Sequence, residues 1–423
     1  MNTGPGIVVV GGGECGARAV FELRAAGWTG PITLVGAEDA LPYERPPLSK
    51  AVMTGTAQPT PVCDATALRD ADIGFIAGVA ALDIDRERHE LMLADGRRIA
   101  YERMLVATGA TPRRFPLDSD VLDGVHYLRS QADALALRER LRPGARIGVI
   151  GGGFIGLELA AGATERGGTV TVLEVAPQLM GRAVPAEVAA IVAARHEQAG
   201  VDVRCGTAVS RLENRGNAVM VEVTTGDTLE CDAVVVGIGA VPETTLAEKA
   251  GLAVDNGVRV DDRLRTSDPD IFAAGDCCSF PHPLYDDRRI RLEAWRNAHD
   301  QGAAVARNLV GADLPYAAVP WFWSDQYDLS LQIAGLPDTA TSEVVRQRPD
   351  GVEIRFGLGS DGRLLSAAAV GPGNAAAKDI RLAEMLIAAR AAPEPSAFAD
   401  PTADLKALLR AAKSAKDPRE STK

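Results

Sequence analysis

Four apolar residues, Ile7-Val8-Val9-Val10, run into Gly11, and the apolar positions then change their period. Ala17, Val20, Phe21 and Ala25 recur at helical spacing until Gly27. The same change happens later: Ile147-Gly148-Val149-Ile150 meets Gly151, and Leu157, Ala160, Ala161 and Ala163 follow before Gly167-Gly168. A second short apolar run comes after each helix, Ile32-Thr33-Leu34-Val35 and Val170-Thr171-Val172-Leu173. The pattern predicts strand, turn, helix and strand twice, with the copies 151 − 11 = 140 residues apart. A later pair of runs also matches, Tyr101 to Pro112 with Cys231 to Pro242, now 242 − 112 = 130 apart. Beyond the repeat, Leu329-Ser330-Leu331-Gln332-Ile333 and Val352-Glu353-Ile354-Arg355-Phe356 read as strands, and residues 383–391 read as helical. Residues 411–423 lack large apolar side chains and are expected to be disordered.

The turns carry chemistry. Gly11, Gly13 and Gly16 form G-x-G-x-x-G with Cys15 in an intervening position, and Gly151, Gly153 and Gly156 repeat it around Phe154 and Ile155. The first glycine makes the tight turn, the second admits a pyrophosphate to the backbone, and the third lets helix and strand pack closely. The pyrophosphate then meets the positive end of the helix dipole. One such motif is weak; two in strand–turn–helix context, each followed by an acid after the second strand, predict two dinucleotide sites. The acids are Glu38 and Glu174. Glu174 directly ends its strand, where a carboxylate accepts from the adenosine-ribose hydroxyls and repels a 2′-phosphate, which favours NADH over NADPH. Arg182, a turn further on, weighs the other way, and a solvated surface glutamate is the plainer reading.

Composition narrows the classes. The 423 residues exceed what one core supports, so two or three domains are expected. Lys plus Arg number 45 against 57 Asp plus Glu, a net charge of −12, which disfavours nucleic acid as a partner. No run approaches the roughly 20 apolar residues of a membrane helix, and the first is too short for a signal peptide, so a cytoplasmic protein without membrane contact is expected. The six cysteines, Cys15, Cys63, Cys205, Cys231, Cys277 and Cys278, form no C-x-x-C pair and no zinc or iron–sulfur spacing, so no metal site is expected.

Further motifs complete the pattern: Leu41-Pro42-Tyr43-Glu44-Arg45-Pro46-Pro47-Leu48-Ser49-Lys50, Ala107-Thr108-Gly109, Ala273-Ala274-Gly275-Asp276 and Trp321-Phe322-Trp323-Ser324-Asp325-Gln326. With the two glycine motifs they resemble the two-dinucleotide flavoproteins. More narrowly, they resemble the NADH-dependent ferredoxin reductases of bacterial oxygenase systems, the putidaredoxin and rhodocoxin reductase group. The resemblance runs from about Ile7 to about Leu409. It implies an α/β fold with two Rossmann-like dinucleotide-binding domains, glutathione-reductase-like, and a C-terminal α+β interface domain. The FAD domain would span 1–112 and 243–322, the NAD domain 113–242 and the interface domain 323–410. It also implies FAD in the first unit and NADH in the second. By matching position, FAD contacts fall on Gly11, Gly13, Cys15, Gly16, Lys50, Ala81, Arg129, Gly275, Asp276 and Trp295. Glu38 takes the ribose role, although the family often has its acid where this chain has Ala37. The nucleotide side takes Gly151, Gly153, Phe154, Ile155, Gly156, Glu174 and Gly239.

The reaction implied is a hydride from NADH passed on as single electrons to a small ferredoxin of two-iron two-sulfur type. Lys50 and Glu158 are the candidate catalytic pair, a Lys–Glu contact beside the flavin; a surface lysine and a helix-start glutamate are the plainer readings. One tryptophan of the 321–323 cluster is expected in the core and another facing the cleft. Arg45, Arg288, Arg289, Arg291 and Arg296 are expected to form a basic docking patch for the ferredoxin. Disulfide reductases and single-cysteine peroxidases need a thiol beside the flavin, and no cysteine lies between Cys15 and Cys63. Rubredoxin or monodehydroascorbate-type reduction and a flavin-bound interaction protein resembling the apoptosis-inducing factors remain as rivals.

Overall fold

The computed structural model describes residues 5–116, 122–181 and 183–416. The chain divides into two compact units. The first is Met1–Arg45, Pro59–Thr111 and Ala240–Ala318; the second is Pro46–Gln58, Pro112–Gly239 and Val319–Lys423. The segment Pro46–Gln58, which the sequence places with the first nucleotide site, therefore packs within the second unit. The reason lies in its side chains. Val52 and Met53 are fully buried, Met53 lies against Gly162, and Arg166 donates to the Thr54 carbonyl at 3.1 Å.

In the first unit, Ile73–Ile76, Ile32–Val35, Gly6–Val10 and Arg98–Val106 lie side by side in parallel, and Ile271–Ala273 extends the sheet beyond Arg98–Val106. Ile7 pairs with Ile32 and Val10 with Val35, so both runs are fully inside the sheet. The first helix, Glu14–Ala25, buries Cys15, Ala17, Ala19, Val20 and Leu23, while Phe21 is half-buried and Ala25 exposed. The buried stripe is wider than the spacing predicted because the helix packs on two sides. Helix Trp295–Leu309 lies against it so closely that a Cβ on Gly302 would sit 2.6 Å from the Cys15 carbonyl oxygen.

The second unit repeats the plan. Asp202–Cys205, Thr169–Glu174, Arg146–Ile150, Ala233–Val236 and Val125–His126 form a five-stranded sheet, parallel throughout. Helix Phe154–Glu165 begins 154 − 14 = 140 residues after its counterpart, the spacing read from the sequence. A separate antiparallel sheet takes the strands in the order Trp321–Gln326, Leu329–Gly335, Leu364–Pro372, Glu353–Leu358 and Ser342–Gln347. Helix Ala377–Ala388 buries Ile380, Ala383, Leu386 and Ile387. It starts six residues before the predicted 383–391 span and stops earlier, because Arg390 turns the chain with φ of 49°.

Buried Arg346 reaches from its strand to the carbonyls of Phe398, Ala397 and Ala403 at 2.8, 3.0 and 3.4 Å. The expectation of a disordered tail fails over residues 411–416, because helix Leu405–Lys416 runs through them. Leu405 and Leu409, one turn apart, are buried, and the alanines after them carry the helix on by propensity. Residues 417–423 lie outside the described residues. Among the described residues, no helix is long and apolar enough to cross a membrane.

Candidate active site

The two glycine turns can be tested for a dinucleotide. Gly11 has φ of +126°, and a Cβ there would lie 2.0 Å from the Ala107 carbonyl oxygen. A Cβ on Gly16 would lie 2.0 Å from the Gly11 carbonyl oxygen, so turn and helix touch backbone to backbone. Gly13 differs: a Cβ there would meet nothing within 4 Å. Gly13 also caps helix Glu14–Ala25 with no side-chain hydrogen bond. An open space therefore stands over uncapped amides at the positive end of a helix, which is what a pyrophosphate needs. The second unit matches it position by position. Gly151 has φ of +106°, Gly156 is closed by the Gly151 carbonyl at 2.1 Å, and Gly153 is open except for one carbonyl oxygen at 3.9 Å.

The two acids expected at the riboses are held differently. Glu174 accepts from the Gly152 amide and from the Ala176 amide, each at 2.7 Å, so its carboxylate is fixed over the glycine turn. Val175 beside it is exposed, and Ile155 is half-exposed at the helix start. Arg182 lies outside the described residues. Glu38 accepts from Tyr43 and from Arg45, each at 2.6 Å. These partners were not foreseen, although Tyr43-Glu44-Arg45 stands only five residues away. Around the first turn, Gly275 donates to the buried Gln301 side chain at 2.7 Å, and Asp276 is half-exposed on the adjoining 3-10 turn. Trp295 opens its helix and stacks on His299, which contacts Glu14 at 2.8 Å. Ala81 begins a strand of the same unit. Arg129 and Lys50 belong to the second unit, where the Arg129 amide donates to Asp133 at the start of helix Gln131–Arg140. Gly239, in the same unit, has φ of +101° and open space at its Cβ position.

Lys50 and Glu158 meet. The Lys50 Nζ lies 2.6 Å from Glu158 Oε1, and Glu158 is buried while Lys50 remains partly exposed. Two hydroxyls join them: Ser49 donates to Glu158 Oε2 at 2.5 Å and Ser324 to Oε1 at 2.6 Å. Three donors thus converge on one buried carboxylate, the requirement for keeping such a group in a protein interior. Ser324 was not singled out, yet the alternation of Trp321-Phe322-Trp323-Ser324-Asp325-Gln326 signals it. In a strand, Phe322, Ser324 and Gln326 share a face. Phe322 packs on Phe154 with ring centres 4.3 Å apart, and Ser324 reaches Glu158 in the same helix. The opposite face carries Trp321 and Trp323, stacked at 5.3 Å, with Lys50 Nζ 5.7 Å from the Trp323 ring. The division into one core and one cleft tryptophan therefore fails: both are half-buried on one face, as the two-residue period of a strand requires.

The expected basic patch also changes. Arg45 is bonded to Glu38, Arg291 to Glu293 and Arg296 to Asp300. Arg289 donates to the carbonyls of Val260 and Ser279 at 3.1 and 2.6 Å, bonds to main-chain oxygens of its own unit. Much of the positive charge on this stretch is already answered by the protein. All six cysteines are free, and burial pushes the Cys15, Cys277 and Cys278 thiols up, so none of these three is a ready thiolate.

Comparison with known proteins agrees in extent and in fold. Residues 5–302 match the family described as pyridine nucleotide-disulphide oxidoreductase, and residues 321–409 match the one described as reductase C-terminal. The ferredoxin–NAD(+) reductase component of the anthranilate 1,2-dioxygenase system of Burkholderia cepacia is 43% identical, over 95% of this chain and 98% of that protein. Rhodocoxin reductase of Rhodococcus erythropolis is 39% identical over 95% and 94%. The crystal structure of the covalent putidaredoxin reductase–putidaredoxin complex superposes with a TM-score of 0.92 at 36% identity, covering 98% of this chain and 100% of that one.

Proposed function

The chain belongs to the pyridine nucleotide-disulphide oxidoreductase family, among the ferredoxin reductases of bacterial oxygenase systems, and from that footing we propose that it carries electrons from NADH through FAD to a small two-iron two-sulfur ferredoxin serving an oxygenase. The family binds a flavin and a pyridine nucleotide. FAD is assigned to the first glycine turn and NADH to the second, with residues 1–112 and 243–322 as the FAD domain, 113–242 as the NAD domain and 323–410 as the interface domain. The cytoplasm is the assigned compartment.

The observation that carries this reading is the Lys50–Glu158 pair standing where a disulfide reductase would need thiols. Ser49 and Lys50 occupy that loop, and no cysteine lies between Cys15 and Cys63. A bound flavin would supply the conversion of a two-electron hydride donor into two single-electron deliveries. The protein supplies position and charge. Gly11, Gly13 and Gly16, with Asp276 and Trp295, hold one dinucleotide; Gly151, Gly153, Gly156 and Glu174 hold the other. The Lys50 ammonium, braced by Glu158, stabilises negative charge that builds beside it, without reorganising when the charge arrives. Phe154 and Ile155, at the start of the second helix, line the approach to its amides.

The test is anaerobic turnover with NADH and a panel of acceptors: several two-iron ferredoxins, a rubredoxin and monodehydroascorbate. Fast catalytic reduction of at least one ferredoxin, with FAD released on denaturation, is expected. Turnover confined to rubredoxin or monodehydroascorbate, or release of FMN, would overturn the assignment.

A further inference from the structure

Behind the Lys50–Glu158 pair lies a line of buried polar groups that neither cofactor site uses. Ser324 Oγ, which donates to Glu158, also accepts from Gln326 Nε2 at 3.0 Å. Gln326 Oε1 faces His196 Nε2 at 2.8 Å, and the Tyr327 hydroxyl lies 3.5 Å from His196 Nδ1. Ser324, Gln326 and His196 are 1%, 4% and 0% exposed, so no bulk water competes for these bonds. The groups, with the pair itself, come from four places: the loop at Ser49 and Lys50, the helix Phe154–Glu165, the strand Trp321–Gln326 and the helix Ala186–Gln198. Burial pushes the His196 imidazole down from its ordinary value, against the opposing effect of its bond to Gln326 and with the Arg195 charge adding to the fall, which favours the neutral ring.

The chemistry of each group fixes the direction of the line. A carbonyl oxygen only accepts, so His196 must carry its proton on Nε2. That choice turns the Gln326 amide so that its NH2 faces Ser324. Ser324 has one proton, and with an NH2 already donating to it, that proton goes to Glu158. Every bond therefore points its donor toward the carboxylate. The line is no proton wire, because passing a proton through Gln326 would leave an imidic acid. Its effect is orientation.

We propose that Gln326 and His196 are positioning residues: the imidazole sets the Gln326 amide, the amide sets the Ser324 hydroxyl, and the hydroxyl holds Glu158 and thereby Lys50 where the ammonium stabilises the charge that hydride transfer builds. This rests on the reading of Lys50 and Glu158 above. It ties hydride acceptance to two elements remote in sequence, since His196 and Gln326 are 130 residues apart. Turning the amide over would present an acceptor to Ser324 and draw its proton away from Glu158.

Substituting Gln326→Glu makes that change with almost no change of shape. It places an acceptor against Ser324, and a protonated His196 can balance the added charge. In the holoprotein, flavin reduction by NADH should slow about fivefold. The flavin midpoint potential should fall by roughly 30 mV, a tenfold change for a two-electron couple. Gln326→Leu, which removes the amide but offers Ser324 no competing acceptor, should do less. In a Ser324→Ala background the potential shift caused by Gln326→Glu should vanish, since the intermediary is gone. Nitrogen NMR of the natural holoprotein should show His196 protonated on Nε2 at pH 7. A proton on Nδ1 alone, a Leu variant worse than the Glu variant, or a shift that persists without the Ser324 hydroxyl would each overturn the proposal. Lys50→Met separates the two levels. If it leaves both rate and potential unchanged, the role of the pair itself is wrong; if it lowers both while Gln326→Glu does nothing, only the positioning role is.

Discussion

Glu174 does two things with one carboxylate, and this changes what its loss should mean. Both oxygens are engaged by backbone amides, at Gly152 and at Ala176, so the side chain braces the glycine turn in addition to the ribose contact proposed for it. The natural protein should prefer NADH to NADPH by at least about tenfold in kcat/KM, the scale of a 1.4 kcal/mol difference. Glu174→Ala should narrow that gap and raise KM for both nucleotides, because the turn loses its brace. Steady-state kinetics with each nucleotide check this, and equal use by the natural protein would sink the assignment. Glu174 was legible because it directly ends a strand that the apolar pattern marks. Glu38 was legible only as an acid, since Tyr43 and Arg45, which fix it, act across a loop that has no period to read. His196 stayed hidden for a different reason: a hydrogen bond between distant segments leaves no local trace, whereas the strand alternation that puts Ser324 and Gln326 on one face does.

At the level of elements, the strand–turn–helix units were readable because their determinants are local. Gly11 and Gly151 need φ values that a side chain opposes, and the apolar period changes immediately after each. The C-terminal helices were read less well. An alanine-rich end has too little apolar surface to declare itself, yet alanine is the best helix former, and helix Leu405–Lys416 continues through it. Arg346 shows how the preceding segment is secured. Its guanidinium answers carbonyls of helix Pro395–Ala399 and of the following turn, groups a short helix cannot satisfy itself. Arg346→Met should cost about 3 kcal/mol of local stability, since it strands buried acceptors. Hydrogen exchange over residues 395–416 should quicken accordingly while the strands of the first unit keep their protection. Unchanged exchange there would mean that packing of Phe398 alone holds the segment.

Across the whole molecule, charge is arranged in pairs more than in fields. The net charge is −12, and the arginines expected to attract an acidic ferredoxin are largely committed to Glu38, Glu293, Asp300 and backbone carbonyls. Raising salt from low to physiological ionic strength should therefore change kcat/KM for the ferredoxin by no more than about threefold, because little unpaired positive charge on that stretch is left to attract an acidic partner. A tenfold fall would restore the docking patch. Arg289→Glu should lower stability before it alters docking, as it cuts two bonds to main-chain carbonyls. The domain count and nucleotide sites could be argued from length and repeat, but the pairing of charges could not, because net charge carries no positions.

Of the six thiols, Cys15, Cys63, Cys231, Cys277 and Cys278 are buried, and Cys205 is exposed. Cys205 sits in register with Glu174 on the neighbouring strand. Maleimide dyes applied to the folded protein should thus attach at one position, which peptide mapping would verify. Such a conjugate places a fluorophore beside the adenosine end of the assigned NADH site. The natural chain, without engineered cysteines, would then become an optical sensor of its own nucleotide occupancy.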